Sequence, residues 1–229
     1  MNRLLLMSIL FSGFALSQTP DPTPLDGRIS GTVLGADNKP ISAATVSFVE
    51  QSALSITSAY PRQVKADSRG HFDSGATLKH AIYDVYAHSE KDDYPDRTFV
   101  FYRSADFHPE TVQLFGAQPE AKVEIKLEHK AGVLTGSVID ADTDQPLDAS
   151  VSLVNMQLED TPYGMNGKSA HAKQGKFRVL VPENTDVHVF VLKPTPPNEP
   201  EWSGFDVTVH LQPGETRNLD IRLYKAGTP

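Results

Sequence analysis

The chain of 229 residues contains no cysteine. That excludes a disulfide framework, a thiol nucleophile, thiolate metal sites and lipidation at cysteine. No Lys/Arg run stands out among 21 basic and 29 acidic residues, and the formal charge is -8. Without a basic cluster there is no electrostatic footprint for nucleic acid, which is therefore not an expected partner. Beyond the first sixteen residues no apolar stretch reaches the about 20 residues that span a bilayer, so no membrane span is expected in the mature chain. Enzyme signatures are missing too: no Gly-x-Ser-x-Gly elbow, no His-Glu-x-x-His, no phosphate loop and no Gly-x-Gly-x-x-Gly. At 39% hydrophobic the chain is nonetheless too apolar for wholesale disorder.

Asn2 and Arg3 lead into an apolar run from Leu4 to Leu16, and Ala15 and Ser17 place small residues where a signal peptidase cuts. Residues 1–17 are expected to be a secretory signal removed after Ser17; the alternative is an uncleaved anchor. Either way the protein is expected to be secreted or periplasmic, in a bacterial cell envelope. Residues 18–26 carry Pro20, Pro22 and Pro24, which favour an extended linker.

The rest of the chain repeats itself. Gly31-Thr32-Val33, Pro40, Val46 and Phe48 match Gly136-Ser137-Val138, Pro146, Val151 and Leu153. Gly70-His71-Phe72 matches Gly175-Lys176-Phe177, and Val123, Ile125 and Leu127 match Leu219, Ile221 and Leu223. The second copy has one extra turn residue before its proline and one fewer after it. A one-residue slip would turn a strand's side chains to the wrong face, so this compensation points to a shared backbone. Apolar residues alternate at period two between short turns, and no amphipathic helix is convincing. The pattern predicts strands near 27–34, 44–50, 60–66, 71–74, 82–89, 98–103 and 121–128 in one copy. In the other it predicts 132–139, 149–155, 168–173, 176–181, 186–192, 204–211 and 217–224. A turn of helix is possible around 105–115. The expected fold is all-β, two tandem seven-stranded β-sandwiches over 27–130 and 131–229.

Gly31-Thr32-Val33, Pro40, Ala43 to Val46 and Asp67 to Phe72 resemble the carboxypeptidase regulatory-like family, a transthyretin-like (prealbumin-type) Greek-key sandwich. Gly136 to Val138, Pro146, Ala149 to Val151 and Gly175 to Phe177 resemble it again. The second copy has Lys173 near the place of Asp67, which predicts a weaker turn there. The resemblance implies fold more than function, because these are turn and core residues. Such domains are spacers, folding supports or weak binding surfaces, and some related sandwiches bind sugars.

Candidate chemistry is sparse. Eight histidines include no pair spaced by two on one strand, and His188 and His210 are expected on an outer surface. Asp140, Asp142 and Asp144 have calcium-loop spacing, but Gln145 and Val151 stand where its glycine and glutamate belong. Glu90 to Asp96 reads as a solvated acidic loop. No lysine lies in 27–34 or 132–139 for an isopeptide cross-link. No metal, cofactor or catalytic residue is expected. The candidate ligand-binding residues are aromatic. Trp202 lies in a loop with four prolines, and Tyr94 beside Pro95 in the equivalent loop. Each ring either stacks on a ligand or plugs the end of its own sandwich. Tyr86 and Phe190 also match and should face outward, open or covered by a loop. The long inserts 50–67 and 155–173, the second with Met156, Tyr163 and Met165, are loop candidates as well.

The expected function is non-catalytic binding or scaffolding at the envelope, with a protein or polysaccharide partner. Two alternatives stand beside it. One is a transthyretin-related hydrolase opening a purine-derived ring, although Tyr224-Lys225-Ala226-Gly227 replaces that family's Tyr-Arg-Gly-Ser. The other is a structural spacer without a ligand.

Overall fold

The computed structural model describes residues 26–51, 61–103, 107–116, 118–158, 167–195, 197 and 201–225. The expected signal, nearly all of the linker, Tyr163 and Met165 lie outside them. The first repeat contributes β1 (Arg28–Gly35), β2 (Thr45–Glu50), β3 (Arg62–Lys65), β4 (His71–Asp73), β5 (Ile82–His88), β6 (Glu110–Gln113) and β7 (Glu120–Leu127). The second contributes β8 (Gly132–Asp140), β9 (Ala149–Asn155), β10 (Gly167–Ala172), β11 (Lys176–Val181), β12 (Asp186–Leu192), β13 (Phe205–His210) and β14 (Thr216–Leu223). Sheets β4-β1-β7 and β3-β2-β5-β6 form one sandwich, and β11-β8-β14 and β10-β9-β12-β13 the other. The strand orders are identical after a shift of seven, including a parallel first-to-last pairing, β1 with β7 and β8 with β14.

The shared motif explains itself in space. Gly31 lies opposite Val123, and a Cβ on it would stand 1.9 Å from the Val123 carbonyl oxygen. Gly136 has the same relation to Leu219, at 2.0 Å. Phe72 and Phe177 fill the space above these bare positions, 3.0 and 2.7 Å from the same imagined Cβ atoms. Gly70 and Gly175 take positive φ, 75° and 72°, beneath Pro40 and Pro146, a conformation that costs glycine little. The Asp67 carboxylate accepts from the backbone N–H of Arg69 and His71. In the second copy the turn is one residue shorter and Lys173 cannot do this. Asp148 accepts from the Gln174 N–H at 2.7 Å instead, so the turn is held from the residue that precedes β9.

Alternation places Ile29, Val33, Val46, Phe48, Phe72 and Val85 in one core, and Val138, Val151, Leu153, Phe177, Val189 and Ile221 in the other. The sixth strand of the first repeat is not where the pattern predicts it. Residues 98–103 hold a 3-10 turn, Val100–Tyr102, and the edge strand is β6, within the stretch read as a possible helical turn. The reason lies between the sandwiches. Phe101 and Tyr102, each 1% exposed, belong to the core of the second sandwich. Their hydrophobicity reports burial in a neighbour rather than a strand of their own unit.

Candidate functional site

The segment after β5 is the joint of the molecule. It runs 89–109, nine residues longer than its counterpart 193–204. Asp96 accepts from the Thr98 N–H and hydroxyl, and Arg103 donates to the Arg97 and Thr98 carbonyls, which sets the turn. Tyr102 then donates its hydroxyl to the Leu180 carbonyl at 3.1 Å, and buried Asn155 donates to the Phe101 carbonyl at 3.0 Å. Burial holds the Tyr102 phenol pKa well above its usual value, with the Glu90 and Asp96 charges adding to the effect. Lys168 lies over the Tyr102 ring, 4.7 Å from its centre. Burial lowers the Lys168 pKa, opposed by Glu90 and Asp96. Buried Arg97 pairs with buried Glu183 of the second sandwich and donates to the Tyr102 carbonyl at 2.7 Å. The acidic stretch read as a solvated loop faces cations across this joint: Asp93 pairs with Arg178, and Glu90 stands 3.9 Å from Lys168.

Beside the joint lies a cleft of about 620 Å3. Tyr86, Pro95, Arg97 and Phe107 line it from the first sandwich, and Gln157, Glu183 and Thr185 from the second. Sequence reasoning missed it. The available signal was the extra length after β5 and the apolar run Phe99 to Tyr102, neither of which the second repeat matches.

The four aromatic candidates do not converge. Tyr94 is buried at the end of the first sandwich, with its hydroxyl accepting from the Ala36 N–H at 3.2 Å. Tyr86 points outward from β5, but Phe107 and Arg103 cover it and leave it 6% exposed. Phe190, its counterpart on β12, is half-buried and tilted against His188, 4.1 Å between ring centres. Trp202 packs its inner edge on the second core, with Lys193 and Lys225 ammonium groups 5.7 and 5.3 Å from the ring centre. The outer strands thus differ between repeats: Ser47 opposite Tyr86 is fully buried, whereas Ser152 opposite Phe190 is not. His188 and His210 pair across β12 and β13 with Asp206 and Asp186. The calcium-like turn is held internally, with the Asp140 carboxylate accepting from the Asp142 N–H at 2.9 Å and Asp144 facing Arg222 at 2.8 Å.

No family model matches the chain, and no curated protein matches it. Among solved structures it is similar to the shaft pilin SpaA of Lactobacillus rhamnosus GG, at 16% identity and a TM-score of 0.37, over 89% of this chain and 99% of the pilin. It is similar to the minor pilin of Streptococcus agalactiae at 13% identity and a TM-score of 0.39, over 89% of this chain and 98% of that one. The TIE protein of Bacillus anthracis aligns at 16% identity and a TM-score of 0.32, over 87% of this chain and 34% of its own, so the chain spans about a third of that protein. At these scores the architecture rests on the strand orders and registers above.

Proposed function

We propose that the chain is an exported, non-catalytic scaffold of the cell envelope that binds a polysaccharide or protein through its second sandwich. One observation carries the reading. The residues the repeats share are spent on close backbone approach, turns and core filling, and the buried Arg97–Glu183 pair joins the two units. The contact surface takes in Phe190 on the outer side of β12 and, apart from it, Trp202 in the segment before β13, both partly exposed. Tyr86 and Tyr94 serve packing in this reading.

A soluble-polysaccharide pull-down and an affinity co-purification, run with Trp202→Ala and Phe190→Ser, test it. Trp202 also touches the core, whereas Phe190 faces a serine, so the second variant separates lost binding from lost folding. Retention should fall about tenfold, equivalent to about 1.4 kcal/mol. Retention unchanged in both variants removes this face from the function.

A further inference from the structure

The cleft at the joint carries a different ligand chemistry from the Trp202 face. Glu183 is 7% exposed and lines the cleft. Its Oε1 accepts from Arg97, and its buried Oε2 has no hydrogen-bond partner among the described residues. A carboxylate has about four acceptor positions, and leaving a buried one empty is costly. Arg97 spends one donor on the Tyr102 carbonyl and one on Oε1, and among the described residues none of its donors reaches Oε2. At the mouth stand Glu110 and Glu128, both exposed and in no ion pair among the described residues. Against these three carboxylates the lining offers two cations, Arg97, already engaged, and exposed Lys126. Leu127, Pro109 and the Phe107 ring form an apolar stretch of the wall, beside the polar side chains of His108, His129, Gln157, Asn184 and Thr185. The volume falls in the range of about 300–1,000 Å3 typical of ligand pockets, which favour domain interfaces.

We propose that this cleft takes the basic side chain of a partner protein. Its methylene stem lies along Pro109, Leu127 and Phe107, and its cationic head donates to Glu183 Oε2. Exposed Gln157, held on the floor by one long 3.4 Å bond from the Thr185 hydroxyl, turns aside to admit it. Because the acceptor Glu183 belongs to the second sandwich and Phe107, Pro109 and Leu127 to the first, binding also clamps the joint.

The test titrates the full chain with N-acetyl-arginine methylamide and with its neutral citrulline analogue, followed by amide NMR shifts. The arginine probe should shift Gln157, Thr185 and His129 saturably, and the citrulline probe should bind at least tenfold more weakly. Glu183→Gln, checked for an intact melting transition, should weaken the arginine probe at least tenfold. If that variant does not fold, Glu110→Gln/Glu128→Gln decides: both positions are exposed, and a loss of threefold or more is expected. Equal binding of both probes, no saturable shift in the cleft, or unchanged affinity in the decisive variant overturns the proposal. Trp202→Ala should leave the arginine titration unaltered, so the fate of this site and that of the Trp202 face are read separately.

Discussion

Phe101 sits in the first repeat by sequence and in the second core by packing, so truncating it should destabilise a unit to which it is not covalently local. Its side chain is 1% exposed and contacts Tyr102 edge-on at 4.9 Å between ring centres. Deleting a buried phenylalanine costs about 3–5 kcal/mol, combining lost transfer energy with the cavity left behind. The single tryptophan reports on the outcome, because Trp202 packs on that same core. With a urea slope of about 2 kcal/mol/M for a small unit, the midpoint of the Trp202 fluorescence transition should fall by roughly 2 M in Phe101→Ala. Phe99→Ala is the control: that ring is 60% exposed in the same segment, and the midpoint should stay in place. A Phe101→Ala midpoint equal to that of the Phe99→Ala control would refute the shared core.

Two further outcomes follow from the packing and charges. Gly31→Ala and Gly136→Ala should each lower stability by about 3 kcal/mol or more in thermal denaturation, since neither carbonyl facing the new methyl can move without breaking a parallel ladder. A loss under about 1 kcal/mol in either would show that the strands can part. Asp73, bonded to Arg28 and to the Gly75 N–H, has its pKa lowered to about 2. A depressed folded value means that its stabilising effect is present above the ordinary carboxylate range and is lost as pH falls towards 2. Carbon-13 NMR of the Asp73 carboxyl should show that low midpoint, and Arg28→Gln should raise it; a midpoint unmoved by the substitution would assign the shift to the backbone bond instead.

Thirteen of the fourteen strands were legible because the information they need is local. Val151, Leu153 and their neighbours alternate at period two, and turns rich in glycine, proline or aspartate close many of the runs. The exception is instructive. Phe99 to Tyr102 is as apolar as any strand, and the Thr111-Val112 stretch is less so, yet the strand is the latter. The turn at Lys173 was misjudged for a related reason: its support comes from Asp148, 26 residues away. The aromatic candidates were identified as outward or loop-borne, but Tyr86 and Phe190, alike in register, differ in cover because only the first repeat has the extended segment carrying Arg103 and Phe107 above it.

What the amino-acid order determined unaided was the duplicated all-β pattern, its turns and the face each side chain takes, since period, φ preference and turn chemistry act over a few residues. Only the tertiary structure decided which core receives Phe101 and Tyr102, that Arg97 meets Glu183, and that a cleft lies beside them. Apolarity and charge state that a group must be buried or paired. The partner is chosen by residues distant in the chain, and no local pattern encodes that distance.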